Sequence, residues 1–343
     1  MNLNEIMRDT IYETQYITKG RLKKFLKDYD YLNQEDSIED TDIYSRASEL
    51  ITDNSQQIVQ RLQEYEYDKN YKYFSLYKIN CSDIEDKILM ISEKINHEEI
   101  DIISEDIERP TIKEYSEDID FKFCLKLGDF DENRIIKYPI IATIFKDIGL
   151  VSIKFCSVSE EYYKDQFYID INNKVKDWLN TNLELNLEVF DSMTVFKSLY
   201  NNIRSNSNEY ANESIHSILM DDEMNGRSYF RASDKEMLPF LDELLNLVEK
   251  FESQEDKKKV LEYIKRYESE AIIRSMGITW KNIFSNSSGR KGSITVCISR
   301  VYSVNNPNNR LQYEFLLHHI YQGSGVNRER VNYVIRYISN YIS

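Results

Sequence analysis

A chain of 343 residues, 41% hydrophobic and 13% aromatic, is long enough to bury a core of its own, which excludes both a disordered chain and a small scaffold that needs disulfide staples. Its net charge of −15 argues at first against a polyanion partner. The total conceals a division: residues 256–343 hold 14 Lys/Arg against 6 Asp/Glu, or +8, while residues 1–255 hold 30 against 53.

The first third reads as helical. Leu3, Ile6, Met7, Ile11, Leu22, Phe25 and Leu26 recur at helical intervals in two stretches around Gly20. Ala47, Leu50, Ile51, Ile58, Val59 and Leu62 make one apolar stripe of a helix from Ile43 to Glu66, after an acidic linker from Asn33 to Asp42. Tyr71 to Asn80 reads as a strand, and Ser82 with Glu85 forms a capping box for a helix to about Ile95. An acidic connector, Glu98 to Asp118, leads into three runs rich in β-branched and aromatic residues: Phe121–Leu127, Ile135–Phe145 and Leu150–Val158. Between the second and third runs, Lys146-Asp147-Ile148-Gly149 is a turn in which Gly149 can take positive φ, so these two strands are expected to pair as an antiparallel hairpin.

From Tyr168 onward helical spacing returns, through Val175, Trp178 and Leu179, then Val195 to Ile203 behind an Asp191-Ser192 cap, then Ile215 to Met220. After a turn at Asn225-Gly226-Arg227, Ser233 and Glu236 box the start of a helix through Val248. A further helix, Asp256 to Met276, would carry Lys257-Lys258-Lys259 on its first turn, against the helix dipole. Ile278–Phe284 and Ser293–Tyr302 read as two strands joined by a loop, Ser285 to Gly292. Helices from about Asn309 to Tyr321 and from beyond Gly323-Ser324-Gly325 to Tyr341 complete the chain.

The four cysteines, Cys81, Cys124, Cys156 and Cys297, stand singly among apolar residues and are expected as reduced core residues, so neither a metal nor a cofactor is expected. Met1 opens an acidic amphipathic stretch, which predicts no secretory signal and a cytoplasmic protein. The apolar region Ile135 to Phe155 is broken by Lys137, Lys146, Asp147 and Lys154 and cannot be a membrane span of about 20 residues. With 9 Gly and 4 Pro beside abundant Asn, Ile, Lys and Tyr, residue usage follows an AT-rich genome, such as that of a low-GC bacterium or its mobile elements.

Chemistry concentrates in the loop Ser285–Gly292. Its glycines let the backbone approach a phosphate, and Arg290 and Lys291 supply charge, without the spacing of a Walker A or dinucleotide-binding loop. Arg274, Lys281, Arg300, Arg310, Arg328, Arg330 and Arg336 surround it in sequence, opposed after Ala271 only by Glu314 and Glu329. Guanidinium groups grip phosphates bidentately, and Tyr302, Tyr313, Tyr333 and Tyr337 are available for stacking. His318 and His319, adjacent on the expected helix, point about 100° apart and do not share a metal. Asp118 and Asp120 before a strand, with Glu132, are the carboxylates a metal-dependent nuclease would use.

The expected architecture is α+β: an acidic helical region (1–110), an antiparallel sheet followed by helices (111–255), and a basic helix-hairpin-helix region (256–343). The expected function is a non-catalytic bacterial binding protein of an antiviral or mobile-element system, contacting nucleic acid or an acidic partner through its basic end. The alternatives are a divergent metal-dependent nuclease, and an assembly subunit that binds an ATPase or effector through its amino-terminal helices.

Overall fold

The computed structural model describes residues 3–14, 17, 19–28, 42–53, 55–69, 71–81, 84–94, 101–129, 134–162, 166–205, 209–221, 227–231, 247–270, 272–285, 291–302, 311–321 and 327–341. The chain is α+β and divides into two compact units, Met1–Phe190 and Asp191–Ser343. No helix among the described residues is long and apolar enough to cross a membrane.

The first unit opens with α1 (Leu3–Thr14), α2 (Lys19–Asp28), α3 (Ile43–Asp53) and α4 (Ser55–Tyr67). The apolar stripes predicted for this region are one core cluster: Met7, Ile11, Leu22, Leu26, Ala47, Ile51, Ile58, Val59 and Leu62 are all buried together. Two breaks differ from expectation. The first helix ends before Gly20, which lies in the first turn of α2, and the stripe from Ile43 to Glu66 is carried by two helices rather than one.

The sheet of this unit consists of β1 (Tyr73–Lys78), β2 (Ile103–Ser104), β3 (Thr111–Glu114), β4 (Asp118–Gly128), β5 (Ile135–Phe145), β6 (Leu150–Phe155) and β7 (Glu188–Val189), with α5 (Ile84–Lys94) and α6 (Phe167–Leu183) between strands. Its order is β2-β4-β5-β6-β1, with β3 also on β4 and β7 on β1; β2 runs parallel to β4 and the other described pairs are antiparallel. The expected hairpin is present, running from Ile141↔Lys154 to Phe145↔Leu150, with Gly149 at φ 63°. Residues 118–125 of β4 are buried on both faces, because helices cover both. On one face Trp178 of α6 packs edge-on against Phe123 and tilted against Phe121; on the other, Lys122 reaches α4.

The second unit begins with α7 (Ser192–Ser205), whose cap is the one expected: Asp191 accepts from the backbone N–H and the hydroxyl of Thr194. Then come β8 (Glu213–Asp221), β9 (Arg227–Arg231), α8 (Gln254–Glu270), β10 (Ile272–Ser285), β11 (Lys291–Tyr302), β12 (Leu311–Tyr321) and α9 (Asn327–Ser339). The strands form an antiparallel sheet in the order β9-β8-β10-β11-β12.

Three helical expectations are overturned here. Ile215–Met220 belongs to β8, paired on one side with β9 and on the other with β10. The helix expected to reach Met276 stops at Glu270, and the β-branched pair Ile272-Ile273 starts β10. The helix expected from Asn309 is β12, laddered along β11 from Ser293↔Tyr321 to Tyr302↔Leu311, where pairing satisfies backbone groups that β11 would otherwise leave open. His318 and His319 therefore lie opposite Val296 and Thr295, and the helical-spacing argument about them lapses. The lysine run also differs in setting: Glu255 and Asp256 occupy the first turn of α8, and Lys257 and Lys259 pair with Glu249 (2.6 Å) and Glu255 (2.7 Å). The boxes at Ser82 and Ser233 and the turns at Asn225 and Gly323 lie outside the described residues.

At Gly277, a Cβ would stand 2.7 Å from Cys297 Sγ and 2.9 Å from Ser217 Oγ, side chains of the residues paired with it on the two neighbouring strands. Gly277→Ala is expected to lower the unfolding free energy in urea by about 1–3 kcal/mol. Adding Cys297→Ala removes the closer clash, and part of the stability should return.

Candidate nucleic-acid interface

Of the nine cationic residues singled out from the sequence, those in the described strands are spread along the β10–β11 ladder. In β10, Arg274 falls in a bulge between the pairs Ile273↔Met220 and Ser275↔Leu219, and Arg300 of β11 is registered with Glu314. The hairpin end, where Ser285 pairs with Lys291, is roughly 35 Å from Arg274 at about 3.3 Å per strand residue. Arg274 and Arg300 thus occupy one end of the β10–β11 ladder and Lys291 the other. Arg290 and Arg310 lie outside the described residues.

At the hairpin end, the fold brings the start of α9 against the start of β11. Arg330 is buried, its guanidinium lies 5.1 Å over the ring of Phe284, and one terminal nitrogen donates to the Ser293 carbonyl at 3.4 Å. Gly292 makes room for it, since a Cβ there would sit 2.6 Å from that guanidinium. Phe284 meets Tyr333 edge-on at 5.4 Å. Burial lowers the Arg330 pKa without removing its charge under ordinary conditions. Arg330 is therefore a brace between α9 and the hairpin base, with Arg328 two residues before it and Lys291 at the last ladder pair. Lys281 is partly exposed in the irregular stretch of β10 between Trp280 and Phe284, and Arg336 is partly exposed in the last turn of α9. Of the tyrosines expected to stack, Tyr333 and Tyr337 lie together on α9, 6.1 Å apart.

Among the described residues, the densest group of ionisable side chains is elsewhere, inside the first unit. Lys122 Nζ lies 3.1 Å from Glu66 Oε2 and 2.7 Å from Asp101 Oδ2; Lys137 Nζ lies 2.6 Å and 2.5 Å from the same two oxygens. All four residues are buried. Lys122 also donates to the Gln63 carbonyl, and Asp101 accepts from the Thr111 hydroxyl, which in turn accepts from Tyr67. Burial alone would raise the Asp101 carboxyl, but the Lys137 and Lys122 ammonium groups outweigh it and hold the carboxyl well below the ordinary range. Burial pushes the neighbouring Cys124 thiol well up.

Glu66, Asp101 and Cys124 present donor atoms within 4.8 Å of one another, close enough for a metal ion. The donor set does not fit one, because both carboxylates already hold two ammonium groups in a neutral set of two charges of each sign. The acidic pair considered for a nuclease is placed differently as well. Asp118 and Asp120 lie inside β4 and are buried, and Asp120 accepts from the Thr143 hydroxyl, which accepts from Lys154. Glu132 lies outside the described residues. The cluster had a sequence signal: Lys122 and Lys137 each interrupt an apolar strand run, where an ammonium group must be paired. Comparison with protein-family models and with curated proteins finds no match to this chain.

Asp101→Asn leaves the buried lysines with an excess charge and is expected to cost about 3–5 kcal/mol at pH 7. Because the folded carboxyl titrates below its unfolded value of about 3.9, its stabilisation is complete above that pH and fades as pH falls further. Urea unfolding at stepped pH should show a steeper acid limb in the wild-type protein than in Asp101→Asn.

Proposed function

We propose that this chain is a non-catalytic binding protein whose second unit holds nucleic acid at the hairpin end, through Arg290, Lys291 and the first turn of α9. The observation that carries the reading is the joining of two basic segments distant in sequence, by the Arg330 guanidinium that bridges Ser293 and Phe284. With this brace Lys291 and the start of α9 are held relative to each other, so they can engage a phosphate backbone with little loss of conformational freedom. The charge balance favours this: after Ala271, nine cations face two acids. Lys281, Arg328 and Arg336 extend the basic region, and Arg274, Arg300 and Arg310 serve a longer footprint.

Absence of catalysis is proposed because the densest charged cluster among the described residues is buried and neutralised by its own lysines. The AT-rich residue usage suits a bacterial antiviral or mobile-element system, and a cytoplasmic location suits the reduced thiols.

The test is a titration of labelled single- and double-stranded DNA and RNA at two salt concentrations, with and without magnesium. Salt-sensitive binding without cleavage is expected. The Arg290→Glu/Lys291→Glu variant should bind every sequence more weakly, with a salt slope shallower by about 1 for each phosphate it no longer neutralises. Magnesium-dependent cleavage would replace this reading with a nuclease. Absence of binding at low salt would replace it with an acidic protein partner.

A further inference from the structure

We infer that the ligand of this basic end is an unpaired strand, DNA or RNA, whose bases stack along a row of tyrosines that begins on α9 and ends in the turn after it; the inference rests on the nucleic-acid reading. Tyr333, Tyr337 and Tyr341 recur at four-residue spacing, with ring centroids 6.1 Å and 5.7 Å apart and planes within 36° and 33° of each other. All three are partly exposed, whereas Val331, Val334, Ile335 and Ile338 of α9 are buried. The row is fixed from below: Phe284 meets Tyr333 edge-on, and the buried Trp280 meets Tyr337 edge-on at 5.7 Å. Its far end is tied by hydroxyl contacts from Tyr337 to Tyr341 and from Tyr341 to Tyr210. Its near end is linked through Phe284 to Arg330, and so to the basic hairpin end.

Two features of this row select a single strand. Aromatic rings are a sequence-tolerant platform for bases, since every base has a π-face, and with the Glu213 carboxylate at the Tyr337 hydroxyl the row supplies stacking rather than charge. The ring spacing is wider than the rise of about 3.4 Å per nucleotide in a duplex. Bases that meet successive rings must therefore part from one another, which a free strand does readily and a paired one resists. Rigid side chains already packed in a row add the stacking with little ordering cost.

The experiment uses the full chain with fluorescein-labelled oligothymidylate, oligouridylate and a mixed-sequence duplex of equal length, by anisotropy at a series of salt concentrations common to all probes and variants. The wild-type protein should bind the single strands at least about tenfold more tightly than the duplex. Tyr333→Leu and Tyr341→Leu should each weaken single-strand affinity about tenfold with the salt slope unchanged, and Tyr341→Phe, which keeps the ring, should change it little. Should a leucine variant fail to fold by thermal melting, the wild-type strand preference and a change in Trp280 emission on adding oligothymidylate test the same point. Equal or tighter duplex binding, or folded leucine variants that bind like wild type, would overturn the inference while the Arg290→Glu/Lys291→Glu effect still upheld the basic-end reading. No binding of any probe at low salt would overturn both. A preference between oligothymidylate and oligouridylate assigns DNA or RNA within the same inference.

Discussion

Two ammonium groups and two carboxylates share the interior of the first unit, and their mutual neutralisation is the condition under which the rest of that unit can pack. Glu66 comes from the last turn of α4, Asp101 from just before β2, and Lys122 and Lys137 from neighbouring strands. Four segments distant in the chain are thereby fixed to a common point. Such a set adds little net stability over a well-packed apolar one, but it penalises any arrangement that separates its members, because each would then be a lone buried charge. β4 can consequently be buried on both faces, with Phe121 and Phe123 turned to α6 and Lys122 turned to α4.

The second unit depends on a different device. Its sheet is a run of antiparallel neighbours, and α9 is joined to the hairpin by aromatic contacts and a buried guanidinium. An arginine in that place serves packing and charge together. Its plane covers Phe284 and Gly292 while its positive charge stays within the basic end of the chain.

How much of this was legible follows from what each residue pattern encodes. The strands around Phe121, Ile140 and Ile153 were readable because long β-branched runs have no competing helical interpretation, and Gly149 marked the turn between two of them. The amino-terminal stripes were readable because their apolar faces repeat over several turns. The segments Ile215–Met220 and Leu311–Tyr321 were not, since a short or densely apolar run satisfies both periods and only an available neighbouring edge decides the matter. The basic end was visible as composition, but its division between the two ends of a hairpin depends on strand register. The partners of Lys122 and Lys137 were out of reach because Glu66 and Asp101 become their neighbours only when α4 and the segment before β2 close over the sheet.

The thiol of Cys124 gives this arrangement a chemical clock. It is unoxidised, buried, and beside the four charges, and its raised pKa keeps it as the unreactive thiol. Cys81, Cys156 and Cys297 are all more open to solvent. An alkylating reagent must therefore wait at Cys124 for the interior of the first unit to part, so the rate at which this one sulfur is modified measures how often that happens in the otherwise native protein.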